Sequence, residues 1–183
     1  MKVGNRRNHL HTVFAEEPAV AIPDKLERAF RAHHALVFRT AYRITGNAAD
    51  AEDVLQTVFL RLLRQGEQVP EFENEESYFR RAAINAALDI VRARQADRTV
   101  ELTDVHTGGS LAVSNELRQA LSRALAQLQP RNAEIFTLRF FDGFSNAEIA
   151  RMVGISQVLV AVIVYRTRQQ LRKELGAYLG GRS

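Results

Sequence analysis

Ser145-Asn-Ala-Glu-Ile-Ala-Arg-Met-Val-Gly-Ile-Ser156 decides the fold of this chain. Ser145 stands as a helix cap with Glu148 three residues on, the capping-box spacing that satisfies two orphan amides at a helix start. Ile149 and Ala150 form the inward side of the short helix that follows, and alanine is small enough there for a second helix to cross close by. Gly154 supplies the positive φ of a tight turn, which a residue without Cβ adopts freely. Ile155 plugs the corner, and Ser156 starts a long helix. This is the grammar of a helix-turn-helix, whose second helix offers its N-terminal turns to a DNA major groove. An ordinary helical hairpin is the alternative that the same spacing allows.

On both sides of this motif, apolar residues recur at helical spacing. From Asp24 a stripe of Leu26, Phe30, Val37, Ala41 and Ile44 predicts a helix that Asp24 caps and Gly46 stops. Asn47, with Asp50 three residues on, opens a second helix with the core stripe Ala51, Val54, Leu55, Val58, Phe59 and Leu62, ending near Gly66. Residues 67–76 hold Pro70 and five glutamates and read as a loop. A third helix is expected from about Glu75 to Arg94, with Phe79, Ala83, Ala86 and Ile90 on its apolar face. The opposite stripe steps by three or four through Tyr78, Arg81, Asn85, Asp89 and Arg92, so these residues share a face.

Periodicity is lost over residues 95–113, which include Gly108-Gly109 and read as a linker; structureless stretches of this length are uncommon inside one compact domain. A fourth helix over about 114–127 carries Leu117, Leu121, Ala124 and Leu128 on one side, and Pro130 breaks it. A fifth runs from Asn132 to about Phe141, and Asp142-Gly143 turns the chain into the quoted motif. The last helix reaches about Tyr178. Its stretch Val158 to Tyr165 is rich in β-branched residues and suits a strand. The Ser156 cap and the continuing stripe Val160, Val164, Thr167, Leu171 and Leu175 favour helix. The expected fold is all-α: a mobile N-terminal arm at 1–23, then two small helical domains at 24–94 and 114–178, joined by a flexible linker at 95–113, the C-terminal domain being the helix-turn-helix.

The 183 residues suit one medium domain or two small ones, and 46% hydrophobic content is ample for a packed core. The chain has no cysteine, which excludes disulfides, thiolate zinc sites and cysteine nucleophiles, and a reducing cytoplasm is the expected compartment. No signal-like run opens the sequence, and no uncharged run approaches the ~20 residues that span a bilayer, so no membrane insertion is expected. Net charge is +4, and residues 114–183 hold ten basic against five acidic side chains while residues 24–94 are balanced. The last third is therefore the candidate for binding a polyanion. Of the 25 basic residues 22 are arginine, the side chain that pairs bidentately with phosphates and bases. His9, His11, His33, His34 and His106 make no metal spacing with carboxylates, and no catalytic constellation is present, so neither an enzyme nor a cofactor is expected.

Asp50-Ala-Glu-Asp-Val-Leu-Gln-Thr-Val-Phe-Leu-Arg-Leu62 resembles the second region of the extracytoplasmic-function class of bacterial sigma factors, whose helix docks on the coiled coil of the polymerase beta-prime subunit. Tyr78-Phe-Arg-Arg-Ala-Ala-Ile-Asn-Ala-Ala-Leu-Asp-Ile-Val-Arg92 resembles the adjoining segment that opens the minus-ten element and captures an unstacked base. Leu125-Ala-Gln-Leu-Gln-Pro-Arg through Leu171 resembles the fourth region, which reads the minus-thirty-five element. The resemblance implies a promoter-specificity subunit that binds core RNA polymerase through its beta-prime and beta subunits, binds promoter DNA, and takes an anti-sigma factor as the partner typical of the class. The competing expectation is a polymerase-independent helix-turn-helix regulator with a helical dimerisation or ligand domain.

Carried over by position, the resemblance gives Asp50, Glu52, Asp53 and Gln56 to the polymerase. The same acids also complement a helix N-terminus. Arg81, Asn85 and Arg92 would contact the melted strand, with Asn85 offering donor and acceptor to an everted base. Asp89 is expected to pair with Arg92 one turn on. Tyr78 either stacks on a base or is a half-buried core aromatic. In the helix-turn-helix, Ser156 and the amides beside it suit a phosphate. Arg166, Arg168 and, on the flank, Arg139 and Arg151 also suit phosphate or sugar. Gln157, Val158, Ala161, Val162 and Tyr165 are placed at base edges. Most of these are apolar, and apolar side chains read thymine methyls rather than donor–acceptor patterns. The sequence departs from the family twice. It has no tryptophan near Tyr78-Phe79, and it has Ala161 and Ile163 where the family carries a lysine and an arginine.

Overall fold

The computed structural model describes residues 24–65, 74–98 and 110–180. The expected arm at 1–23, residues 66–73 of the expected loop and residues 99–109 of the expected linker lie outside the described residues. The described residues form α1 (Asp24–Thr45), α2 (Ala48–Gln65), α3 (Glu75–Arg98), α4 (Ser110–Gln127), α5 (Pro130–Phe140), α6 (Asn146–Val153) and α7 (Gln157–Gly180). All are helical, including the β-branched run at the start of α7: the Ser156 cap sets the helix, since the Leu159 amide donates to Ser156 Oγ at 3.2 Å.

Two helix ends fall inside the stretch expected as linker, because α3 continues to Arg98 and α4 already begins at Ser110. Residues 93–98 (Ala-Arg-Gln-Ala-Asp-Arg) are mostly good helix formers without an apolar stripe, so the loss of periodicity there does not mark an end of helix. Pro130 separates α4 from α5 and also starts α5, where its missing amide costs nothing. Gly46 between α1 and α2 takes φ +68°, the left-handed conformation that ends a helix.

α1, α2 and α3 pack together, α4 to α7 form a second group, and α3 touches both groups through α4 and α5. The expected inward stripes are buried or, as at Leu55, Ile90, Leu121, Ala150, Val164 and Leu175, half-buried, with two exceptions. Phe30 is 42% and Leu117 45% exposed. On α3 the burial goes beyond the expected face: Ile84, Ala87, Leu88 and Val91 are buried with Phe79, Ala83 and Ala86. A helix buried on two sides must serve two layers. One apolar core accordingly runs through both helical groups, from Val37 and Val54 to Leu125, Ile135 and Val160.

Candidate nucleic-acid interface

The quoted motif forms as expected. The Glu148 amide donates to Ser145 Oγ at 3.3 Å, and the Ser145 amide and hydroxyl donate to Glu148 Oε2 at 2.8 and 2.6 Å. Those two hydrogen bonds to the charged form hold the Glu148 carboxyl below its ordinary range. Gly154 sits at φ +68° and ψ +42°, and across it α7 turns by 107° from α6, within the range for helix-turn-helix pairs. Ile149, Val153, Val160, Thr167 and Leu171 point inward and fix the crossing.

What α7 leaves outside is the expected contact set. Ser156, Gln157, Val158, Ala161, Val162, Tyr165, Arg166 and Arg168 are all exposed. Val158 at 74% and Tyr165 at 65% exposure are unusually bare for residues of their type. Between Ser156 and Arg166 this face carries no charge. Ile163, which stands where the family carries an arginine, packs partly buried against the core, so the departure is one of direction as well as chemistry. Arg139 is placed differently from the rest: its guanidinium is half-buried and donates to the Phe144 carbonyl at 3.0 Å, holding the turn before α6.

The polar stripe of α3 faces the second helical group. Arg81 Nε donates to Glu134 Oε1 at 2.5 Å, and its Nη1 donates to the Met152 carbonyl at 2.8 Å. Arg92 Nε donates to the Ala126 carbonyl at 3.0 Å, and its Nη1 donates to Asp89 Oδ1 at 2.9 Å, the expected one-turn pair. Both arginines thus reach carbonyls at helix C-termini, where orphan acceptors and the helix dipole favour a cation. Tyr78 is half-buried, its ring edge-on to Phe79 at 5.3 Å. Tyr78 and Arg81 line one wall of a cleft of about 590 Å³ whose other wall includes Arg151 and Met152 of α6. Asn85 is half-buried between them and Arg92 along the helix.

On α2, Glu52, Asp53 and Gln56 are exposed, but Asp50 is not. The Asp50 amide donates to the capping Asn47 Oδ1 at 3.2 Å, while the Asp50 carboxylate turns to Arg94 of α3 and is buried. Burial raises its pKa, against the opposing pull of the Arg94 charge. Asp50 therefore ties α2 to α3 rather than presenting a carboxylate outward.

Family models describe these same two units: Sigma-70 region 2 matches residues 29–97, and Sigma-70, region 4, matches residues 118–171. The "ECF RNA polymerase sigma factor SigL" of Mycobacterium tuberculosis is 30% identical over 86% of this chain and 95% of its own length. The chain belongs to the extracytoplasmic-function sigma factors. The "ECF RNA polymerase sigma factor SigM" of the same species is 29% identical over 82% of this chain and 76% of its own length. Among solved structures, the sigma factor RpoE in complex with the anti-sigma factor NepR from Bartonella quintana covers 83% of this chain and 97% of its own, at 19% identity and a TM-score of 0.49.

A sigma factor directs RNA polymerase to promoters and starts transcription there. In this sigma factor the sequence pattern alone missed the residues that join the two regions. Asp142, read as a turn residue, has a side chain only 1% exposed and accepts from Arg80 at 3.1 Å and Arg43 at 3.2 Å. Arg80 also lies over the Phe144 ring, 5.1 Å from its centroid. Burial pushes the Asp142 carboxyl up, against the lowering effect of Arg80 and Arg43. Glu134, in the midst of the buried run Ala133–Leu138, pairs with Arg81. A signal was present: Ile84, Ala87, Leu88 and Val91 make a second apolar stripe on α3, which implies a second packing partner.

Proposed function

We propose that the two units, with boundaries at 24–94 and 114–178, divide the sigma-factor task between them. The first binds core polymerase through Glu52, Asp53 and Gln56 and holds the melted minus-ten strand with Tyr78, Arg81, Asn85 and Arg92. The second anchors on the duplex minus-thirty-five element through Gln157, Val158, Ala161, Val162 and Tyr165, with Ser156, Arg166 and Arg168 on the phosphates. The observation that supports this division best is the exposed α7 face beyond a capped helix-turn-helix, apolar at its centre and basic at its C-terminal edge. That face suits methyl and shape readout of a thymine-bearing groove rather than a donor–acceptor code. Neither contact set need be tight alone, since binding through one raises the effective concentration of the other. We place the protein in the cytoplasm with the polymerase, and an anti-sigma factor is the further partner that its class implies.

The test is co-migration of the purified chain with bacterial core polymerase, followed by promoter opening. Failure to co-migrate overturns the reading. Asn85→Ala is expected to impair open-complex formation more than polymerase binding; equal loss of both refutes the role given to Asn85.

A further inference from the structure

Seven successive side chains at the start of α7, Val158-Leu-Val-Ala-Val-Ile-Val164, are apolar. Val160 is buried, and Ile163 and Val164 pack partly buried against the core. Val158, Leu159, Ala161 and Val162 stay outside. Val158, Ala161, Val162 and Tyr165 are spaced by three and four residues, so they form one strip along the helix. The strip is about 10 Å long, enough to lie along about three base steps. Its polar groups stand at its two ends. Ser156 and Gln157 precede it, the Tyr165 hydroxyl closes it, and Arg166 and Arg168 follow. Ser156 Oγ already accepts from the Leu159 amide at 3.2 Å. A groove that receives this strip is met by polar and charged atoms at its margins and by hydrocarbon at its middle.

Hydrocarbon in the major groove responds to one feature of a pyrimidine, the C5 methyl. Thymine shows that methyl beside an acceptor, O4, while cytosine shows a donor, its N4 amino group, and no methyl. 5-Methylcytosine combines the methyl of thymine with the donor of cytosine. A hydrogen-bonding side chain at this place separates it from thymine, because O4 and the amino group demand opposite partners. Val158, Ala161 and Val162 offer neither partner, so the methyl alone decides. We infer that this strip of α7 reads the C5 methyl itself: 5-methylcytosine in the upstream element is taken as thymine is, and promoter use by this sigma factor responds to cytosine methylation. The inference rests on the minus-thirty-five role proposed for α7, and it makes the set of promoters depend on base modification as well as on sequence. Burying one methyl against the strip is expected to change affinity about fourfold, and two methyls about fifteenfold.

The experiment uses holoenzyme, the full chain on bacterial core polymerase. Two pools of fragments are amplified from the genome that encodes the chain, one with cytosine and one with 5-methylcytosine throughout, and the bound fragments are sequenced. The second pool should add fragments in which cytosine stands where the first returns thymine. One recovered duplex is then remade with thymine, uracil, cytosine or 5-methylcytosine at such a position. Thymine and 5-methylcytosine should bind alike, about fourfold more tightly than uracil and cytosine. Val158→Ala with Val162→Ala trims the strip at two exposed positions, and should bring all four bases within about twofold of one another with helicity retained. The inference is overturned, with the upstream role intact, if Val162→Lys changes promoter choice but 5-methylcytosine binds as weakly as cytosine, or uracil as tightly as thymine. If all four bases bind alike and Val162→Lys changes nothing, α7 does not meet the groove, and the upstream role falls together with the inference.

Discussion

Asp142→Ala removes a carboxylate that is almost wholly enclosed and leaves behind Arg80, whose side chain is 12% exposed and whose Nε already lacks a partner among the described residues. Removing one member of a buried pair strands the other, at about 3–5 kcal/mol for full burial. Arg43, half-exposed at 53%, adds little, since exposed pairs contribute about 0–1 kcal/mol. The Arg80 side chain is nearly but not fully enclosed and keeps Glu76 at 2.5 Å and the Phe144 face, so the expected loss is about 2–4 kcal/mol. Asp142→Asn should behave differently. It keeps an acceptor oxygen for Arg80 and Arg43, and the raised pKa says that burial already outweighs their attraction for the charge, so the loss should stay near ~1 kcal/mol.

Urea unfolding followed by helical circular dichroism reads both variants. The pH dependence supplies a second readout. A carboxyl with a folded pKa above its ordinary 3.8 holds its proton more tightly in the folded chain. Its contribution therefore lowers stability as pH climbs from 3.8 through the raised value and is level above that. Subtracting the curve of the Asp142→Asn variant from the wild-type curve should isolate this fall. Wild-type-like stability of Asp142→Ala, or equal losses for the two substitutions, refutes the reasoning.

Other outcomes follow from the remaining sites. Gly154→Ala should cost about 1–2 kcal/mol through the left-handed backbone alone, because a Cβ there meets nothing within 4 Å; denaturant melts check it, with Gly154→Asn milder. Ser145→Ala should cost about 1 kcal/mol of cap. It should also reduce, without abolishing, the Glu148 contribution to stability that is present above pH 4.5 and lost as pH falls through the lowered value, since the residue 145 amide still donates to Glu148; melts at a series of acidic pH values will read this. Asp50→Ala and Asp53→Ala should separate: the first unties α2 from α3 at a cost of about 1 kcal/mol or less, since Arg94 is half-exposed, and the second weakens core-polymerase binding with the melting curve unchanged. Replacing thymine by deoxyuridine in the minus-thirty-five element should weaken binding, and Val162→Lys should alter promoter choice; if neither has an effect, α7 does not read methyls.

Much of the fold is legible because its causes are local. Ser145, Glu148, Gly154 and Ser156 satisfy helix ends within a few residues of themselves, so a turn with this geometry follows from sequence spacing alone. The same holds for the one-turn pair Asp89–Arg92 and for the exposed set on α7, which lies opposite the stripe Val160, Thr167 and Leu171. The site on α3 was legible only in part. Its stripe was evident from a step of three and four, but a stripe does not say what lies across from it. Asp50 shows the same limit, since the spacing that marks it as a helix-start acid is silent about Arg94, far along the chain on another helix.

The sequence by itself determined seven helices, the caps at Asn47, Ser145, Gly154 and Ser156, and the residues that each helix sets on a common face, since hydrogen bonding at helix ends and a 3.6-residue period are properties of neighbours in the chain. Only the tertiary structure decided that the two units close on each other and that Arg81, Arg92 and Asp142 meet their partners across that seam. Such pairings join residues 34 to 99 positions apart. They depend on which buried charge finds which counter-charge once the shared core has formed, and no local pattern fixes that.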